Sequence, residues 1–191
     1  MNAQRRVQGQ LDSPLDDLGR VQAQALARRV AREAPVILYA SPLRRASETA
    51  QIVAAHLNVP LLLDDRLKER DAGAIAGLTN EEIEAQFPEW LQQWRASAGH
   101  APPPGAEPRA ALRHRAVAAF DEIVARHAGA VVGIVSHGAL LGAYLCYLIE
   151  SPLDRRSLFA LGNCSLTIVD LDVHPLIRLV GDQCHLDGEG G

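Results

Sequence analysis

Two adjacent arginines, Arg44 and Arg45, stand at the start of a predicted helix, directly after the apolar, β-branched run at residues 36–40. A helix N-terminus offers free backbone N–H groups and the positive end of the helix dipole, so it binds anions such as phosphate. A guanidinium group adds a planar set of donors that matches phosphate oxygens. Two interpretations stay open at this point. At least one arginine contacts a phosphate, or both are solvated and one of them pairs with Glu48.

A histidine between two small residues, His137, follows a second β-branched run at residues 131–135. The glycine directly after it, Gly138, lets a substrate come close to the backbone. The alternative is a core histidine whose ring binds a backbone carbonyl group. Because two turns suited to phosphate follow two separate strands, the sequence favours a functional role for His137.

A carboxylate, Glu69, lies among cations in the segment RLKER at residues 66–70, shortly before Gly73 and Gly77. A carboxyl group in a loop over a phosphate pocket is suited to protonate a leaving alkoxide and then to deprotonate water. Taken alone, the same segment is more typical of a solvated cluster of charges. The role of Glu69 therefore depends on what lies beside it in the fold.

Helical and β-branched segments alternate along the chain, which predicts an α/β fold: a three-layer sandwich with a mostly parallel sheet flanked by helices. Ligands in such folds bind beyond the carboxyl ends of the strands, so the turns at Ser41 and Ser136 are expected to face one pocket. The predicted strands are 36–40, the start of 131–149, 166–171 and 176–180, with a short apolar run at 60–63. The predicted helices are one capped by Asp16 or Asp17 that ends near residue 33, then 43–57, 80–87, 89–98, 108–127 and the end of 131–149.

The composition is that of a globular protein, with a net charge of -4 and a pI near 6.0. Basic residues occur in runs of at most two, which argues against a nucleic-acid partner. The three cysteines are widely spaced, which argues against a zinc site or a disulfide framework and favours a reducing compartment. The first residues contain no apolar signal-peptide segment, so we expect a cytoplasmic location. We expect one domain over residues 1–185, with a lid-like insert at 78–108 and a flexible tail at 186–191.

Residues 128–149 contain no Asp, Glu, Lys or Arg, and the segment is long enough to cross a bilayer. It is interrupted by Ser136, His137 and Gly138, with a β-branched run before them and a helical pattern after them. A buried parallel strand is apolar on both faces, so a strand, a turn and a helix explain the segment. No contact with a membrane is expected.

Four segments, taken together and in this order, resemble the motifs of the histidine phosphatase family, also called the phosphoglycerate mutase-like family. Residues 2–23 resemble the run that follows the family's first motif, and SPLRRASETA (residues 41–50) is similar to its S-x-L-x-R-A-x-x-T-A motif. RLKERDAGAIAGL (residues 66–78) and VSHGALL (residues 135–141) resemble its glutamate segment and its second histidine motif. The resemblance runs from the first residues to about Leu141.

This resemblance implies a role for each candidate residue. It assigns Arg45, rather than Arg44, to the phosphoryl pocket, makes Glu69 the proton donor, and makes His137 the histidine that holds the transferring phosphoryl group. It also implies four residues at the pocket edge, namely Asn2, Arg6, Gln8 and Gly9. In the segment at residues 105–108, a proline stands where the family usually has a serine.

The chain departs from the family at its start, because the motif R-H-G-E-T-x-W-N aligns only through its last residue, Asn2. In that alignment Met1 takes the tryptophan position, and the histidine nucleophile would lie five residues before Met1. That nucleophile stands at the end of a central strand in the family. We therefore expect the chain to be truncated at its N-terminus, with the first central strand missing, and to be inactive as it stands.

For the full-length protein, the resemblance implies a phosphatase that hydrolyses small-molecule phosphomonoesters through a phosphohistidine, without a metal or other cofactor. The expected partner is a small phosphorylated substrate. One alternative is a non-catalytic protein that binds phosphorylated ligands. Another is a phosphoglycerate mutase, which is less favoured because the segment between Glu69 and Pro108 is short.

Overall fold

The protein was analysed as a computed structural model that describes residues 6–97, 101–152, 158–172 and 174–187. Three parallel strands form its main sheet: β1 (Ile37–Ala40) lies between β2 (Leu61–Leu63) and β3 (Val132–Val135). Leu38 is level with Leu61 on one side and with Gly133 on the other. The expected α/β sandwich with a parallel sheet is confirmed.

Helices cover both faces of this sheet because its strands are apolar on both faces. On one face, Leu38 packs with α1 (Asp17–Val30) and α2 (Arg44–Leu57). On the other face, Tyr39 packs with α5 (Arg109–Arg126) and α6 (Gly138–Leu148). The core residues that α1 and α2 supply are Leu26, Ala27, Val53 and Ala54; those of α5 and α6 include Leu112, Ala116, Phe120, Leu140 and Tyr144.

Local signals in the sequence explain where the helices begin. The Asp16 side chain accepts a hydrogen bond of 2.7 Å from the Gly19 N–H group and so caps α1. Thr79 and Glu82 form a reciprocal capping box at α3 (Asn80–Gln86). Helix α4 (Pro88–Ala96) then starts with proline at its first position, where no backbone donor is needed.

Both outer strands of this sheet, β2 and β3, have one unpaired edge within the described residues. Within the described residues β3 pairs only with β1, although its residues are all apolar or glycine. A separate antiparallel hairpin follows, made of β4 (Leu166–Leu171) and β5 (Pro175–Asp182). Leu166 packs against the core of the α1 and α2 face, and Leu171 packs against the core of the opposite face. The hairpin therefore contacts both faces of the sandwich without joining the three-stranded sheet.

The uncharged stretch at residues 128–149 forms β3 and α6, as predicted. Among the residues described, no helix combines the length and the apolar character needed to cross a membrane. The single domain over 1–185 and the lid-like insert at 78–108 stay predictions; α3 and α4 lie within that insert. Of the predicted tail, only residues 186 and 187 are described.

Candidate active site

The two turns singled out in the sequence meet at the carboxyl ends of β1 and β3. Ser41 follows β1, and its N–H group donates to the Val135 carbonyl of β3 at 3.0 Å. His137 follows β3 and precedes α6 as its N-cap residue. The His137 Nε2 atom lies 2.8 Å from the Ser41 hydroxyl, with Ser41 0% and His137 7% exposed. One buried hydrogen bond thus joins the two turns.

The arginine pair divides between the two interpretations that the sequence left open. The exposed Arg44 guanidinium bonds Glu48 at 3.0 and 3.2 Å, as a solvated helix pair would. The half-buried Arg45 guanidinium instead donates to the Leu11 carbonyl at 2.7 Å and to the Gly9 carbonyl at 2.9 Å. Burial lowers the pKa of Arg45, and the nearby Glu69 opposes that effect. Arg45, unlike Arg44, is therefore directed towards the other candidate residues.

The Glu69 carboxylate lies against the first turn of α6. Its oxygens accept hydrogen bonds from the Arg70 N–H group at 2.7 Å and from the Ala139 N–H group at 3.2 Å. Burial raises the pKa of Glu69, although these two hydrogen bonds and the positive charge of Arg45 act in the opposite direction. A carboxyl group that holds its proton to a higher pH is better suited to act as a general acid.

His137 is neutral at physiological pH. Burial, together with the positive charges of Arg45 and Arg115, lowers the pKa of His137 to about 3. A neutral imidazole has one N–H donor and one acceptor nitrogen. Its side chain therefore offers a hydrogen bond rather than a charge, and the positive charges near it are those of Arg45 and Arg115.

Of the four residues predicted at the pocket edge, the structure describes three, and their surroundings differ. Gly9 lies within reach of the site because its carbonyl accepts from Arg45; its φ of +51° and a Cβ position 2.8 Å from the Ala72 Cβ both require glycine. Gln8 precedes it in the same turn. The Arg6 guanidinium is held by Glu82 at 2.6 Å and by the Gly77 carbonyl at 2.7 Å, so its contacts are with the start of α3. Asn2 lies outside the described residues.

Three residues that the sequence does not single out support the site from the side. Ser41 was treated only as a turn residue, although its hydroxyl bonds His137. Arg115 and Glu107 form a salt bridge of 2.7 Å beside the Glu69 loop. Over the described ranges, no cluster of His, Cys, Asp and Glu side chains is arranged to hold a metal ion.

Known proteins share this fold and these segments. The profile of the histidine phosphatase superfamily (branch 1) matches residues 1–179. A probable phosphoglycerate mutase GpmB of Yersinia pestis (strain Pestoides F) is 33% identical over 192 residues, covering 97% of this chain and 89% of its own. YhfR of Bacillus stearothermophilus superposes with a TM-score of 0.89 at 32% identity, over 97% of this chain and 93% of its own. A mycobacterial glucosyl-3-phosphoglycerate phosphatase in complex with VO3 gives a TM-score of 0.84 at 30% identity, over 95% and 93%.

Proposed function

The chain belongs to the histidine phosphatase superfamily, and from that membership we propose that its fold hydrolyses small-molecule phosphomonoesters through a phosphohistidine intermediate. The nucleophile is the histidine of an Arg-His-Gly segment upstream of Met1 in the full-length protein. The present chain, whose first histidine is His56, binds the phosphoryl group but does not transfer it. Its three cysteines are free, which fits a reducing compartment such as the cytoplasm.

The roles of the three candidate residues follow from their chemistry. Arg45 and His137 hold the phosphoryl oxygens while the nucleophilic imidazole forms a bond to phosphorus. The ester P–O bond breaks, and the leaving alkoxide takes the proton of the Glu69 carboxyl group. The Glu69 carboxylate then accepts a proton from water, whose oxygen displaces the imidazole and releases phosphate. The observation that carries this assignment is the position of the Glu69 carboxyl group, which is buried against the first turn of α6 and near Arg45.

The open edge of β3 supports the proposal that the present chain is inactive. Parallel strands in one sheet end at the same side. A further strand hydrogen-bonded to β3 would therefore end beside His137, which follows β3 directly. The apolar residues of β3 favour such a neighbour, because natural edge strands are usually short, charged, bulged or covered.

Two other functions within this fold have some support. The relatives named as probable phosphoglycerate mutases favour a mutase, whereas the mycobacterial structure is that of a phosphatase. We favour hydrolysis because the segment between Glu69 and Pro108 is short for a mutase. A non-catalytic protein that binds phosphorylated ligands is supported by a sequence that contains Arg45, Glu69 and His137 but no Arg-His-Gly segment.

The proposal is tested with the present chain and two N-terminally extended versions. Both extensions add one apolar strand and place either Arg-His-Gly or Arg-Ala-Gly so that its middle residue lies five positions before Met1. We expect hydrolysis of p-nitrophenyl phosphate only with Arg-His-Gly. The Arg-Ala-Gly version restores the strand without the nucleophile, so it separates chemistry from folding.

The outcomes distinguish the three functions. Hydrolysis by the present chain, or by the Arg-Ala-Gly version, would show that the nucleophile lies elsewhere. Vanadate binding by all three chains without hydrolysis by any would favour a non-catalytic protein. Transfer of phosphate from a bisphosphorylated acid to its monophosphate, faster than release of inorganic phosphate, would favour a mutase.

A further inference from the structure

The Arg115 guanidinium uses all of its N–H donors within the protein. Its Nε and Nη2 atoms form a bidentate pair with the Glu107 carboxylate at 2.7 and 2.8 Å. The other three hydrogen bonds reach backbone carbonyls: those of Arg66 at 2.8 Å, Lys68 at 2.7 Å and Glu69 at 3.0 Å. A guanidinium has five N–H groups, so none is left for a ligand. Arg115 therefore acts on the loop that carries Glu69 rather than on a substrate.

The loop around Glu69 depends on side chains for its backbone hydrogen bonds. The Leu67 carbonyl, between those that Arg115 binds, accepts from the Ser136 hydroxyl at 2.7 Å. The Glu69 carbonyl also accepts from the Gln10 side chain at 2.9 Å. Carbonyl groups that are withdrawn from water need hydrogen-bond donors, and in this loop side chains supply them. The backbone position of Glu69 is thereby fixed from three directions.

Glu107 extends this support to the other side of Glu69. Its backbone N–H group donates to the Asp71 carbonyl at 3.0 Å, and its carbonyl accepts from the Arg70 side chain at 2.8 Å. The Arg115 and Glu107 side chains are only 20% and 16% exposed. Removal of one partner from so protected a pair leaves a charge without its counter-charge. The pair therefore holds residues 66–71 as one unit.

We propose that Arg115 is a positioning residue for the acid–base step, because its guanidinium fixes the backbone of Glu69 and so keeps the Glu69 carboxyl group against the first turn of α6. This inference rests on the proposed role of Glu69. All five N–H groups of Arg115 are used within the protein, so Arg115 acts through the backbone of Glu69 and not by donating to a substrate. Lysine cannot replace it, since an ammonium group lacks the planar fork that binds Glu107 and three carbonyls together.

The test uses the present chain and measures the ionisation of Glu69 by carbon NMR of its carboxyl group, with E69Q to assign the signal. Arg115→Lys keeps the positive charge but loses the fork. The carboxyl group then moves into water, and we expect the Glu69 ionisation constant to increase about tenfold as the burial effect is lost. Arg113→Lys is the matched control, because Arg113 is on the same helix but donates to the Ser151 carbonyl instead.

A vanadate titration of the same variants separates positioning from general damage. We expect vanadate affinity within about twofold of the parent for Arg115→Lys, because Arg45 holds the anion. An unchanged Glu69 ionisation in folded Arg115→Lys would overturn the positioning role and leave the role of Glu69 itself intact. If Arg115→Lys does not fold, Glu107→Gln carries the test, with a smaller shift expected in the same direction; an unchanged ionisation there would again overturn the inference.

Discussion

Strand β1 is paired on both edges, whereas its parallel neighbour β3 is paired on one within the described residues. In β1, Leu38 is 1% and Ala40 0% exposed, while every residue of β3 is partly exposed. Both strands nevertheless end at the same pocket, in Ser41 and His137. Ser41 and His137 are placed by a turn and a helix start, so they stay hydrogen-bonded to each other beside a strand that has one unpaired edge within the described residues.

The largest expected effect compares equivalent truncations in the two strands. Leu38→Ala leaves a cavity between β1, α1 and α2 and should lower the free energy of unfolding by about 2–5 kcal/mol. Ile134→Ala in β3 should cost about half of that or less, because its side chain is already partly in water. Urea denaturation monitored by circular dichroism measures both. Equal losses would show that β3 is as well buried as β1.

The second prediction tests whether the open edge of β3 admits water to His137. The pKa of His137 is about 3 in the folded protein against 6.5 ordinarily, so the unfolded chain takes up a proton first as the pH falls. The contribution of neutral His137 to the free energy of unfolding is thus fully present above pH 6.5 and is lost as the pH falls towards 3. The stability advantage of the parent over His137→Gln should shrink by up to about 2 kcal/mol from pH 7 to pH 5.

The control for this experiment is that the parent and the His137→Gln variant are compared at the same pH. Glu69 has its pKa shifted the other way, so its contribution to stability is lost as the pH rises through that pKa. Because both chains contain Glu69, its effect cancels when they are compared at one pH. An advantage that does not change between pH 7 and pH 5 would mean that His137 titrates as an exposed histidine, and the pocket would then share the openness of β3.

The smallest expected effect concerns the turn after β1. Arg45→Gln should weaken vanadate binding by about tenfold or more, because it removes a charge-assisted donor from the pocket. Arg44→Gln is the matched control, since Arg44 is exposed and paired with Glu48, and it should change the affinity by less than about twofold. Isothermal titration calorimetry measures both. Equal losses of vanadate affinity in the two variants would show that both arginines act only through their positive charge.

Much of the architecture could be predicted because it depends on local patterns. Periodicity, caps and β-branched runs located the helices and the sheet, and the resemblance to a family selected Arg45 over Arg44. Arg115 could not be found in this way, because three of its hydrogen bonds go to backbone carbonyls, which every residue has. The apolar sequence of β3 likewise indicates a central strand but cannot tell how many neighbours the strand finds.

The Glu69 carboxyl group accepts hydrogen bonds from two backbone N–H groups beside Arg45, so in its ionised form it is an anion within the pocket. A phosphate dianion that enters next to it repels the ionised carboxylate and favours the protonated form. We therefore expect binding of phosphate to be coupled to proton uptake from solvent. In the proposed mechanism, this is the proton that Glu69 gives to the leaving alkoxide.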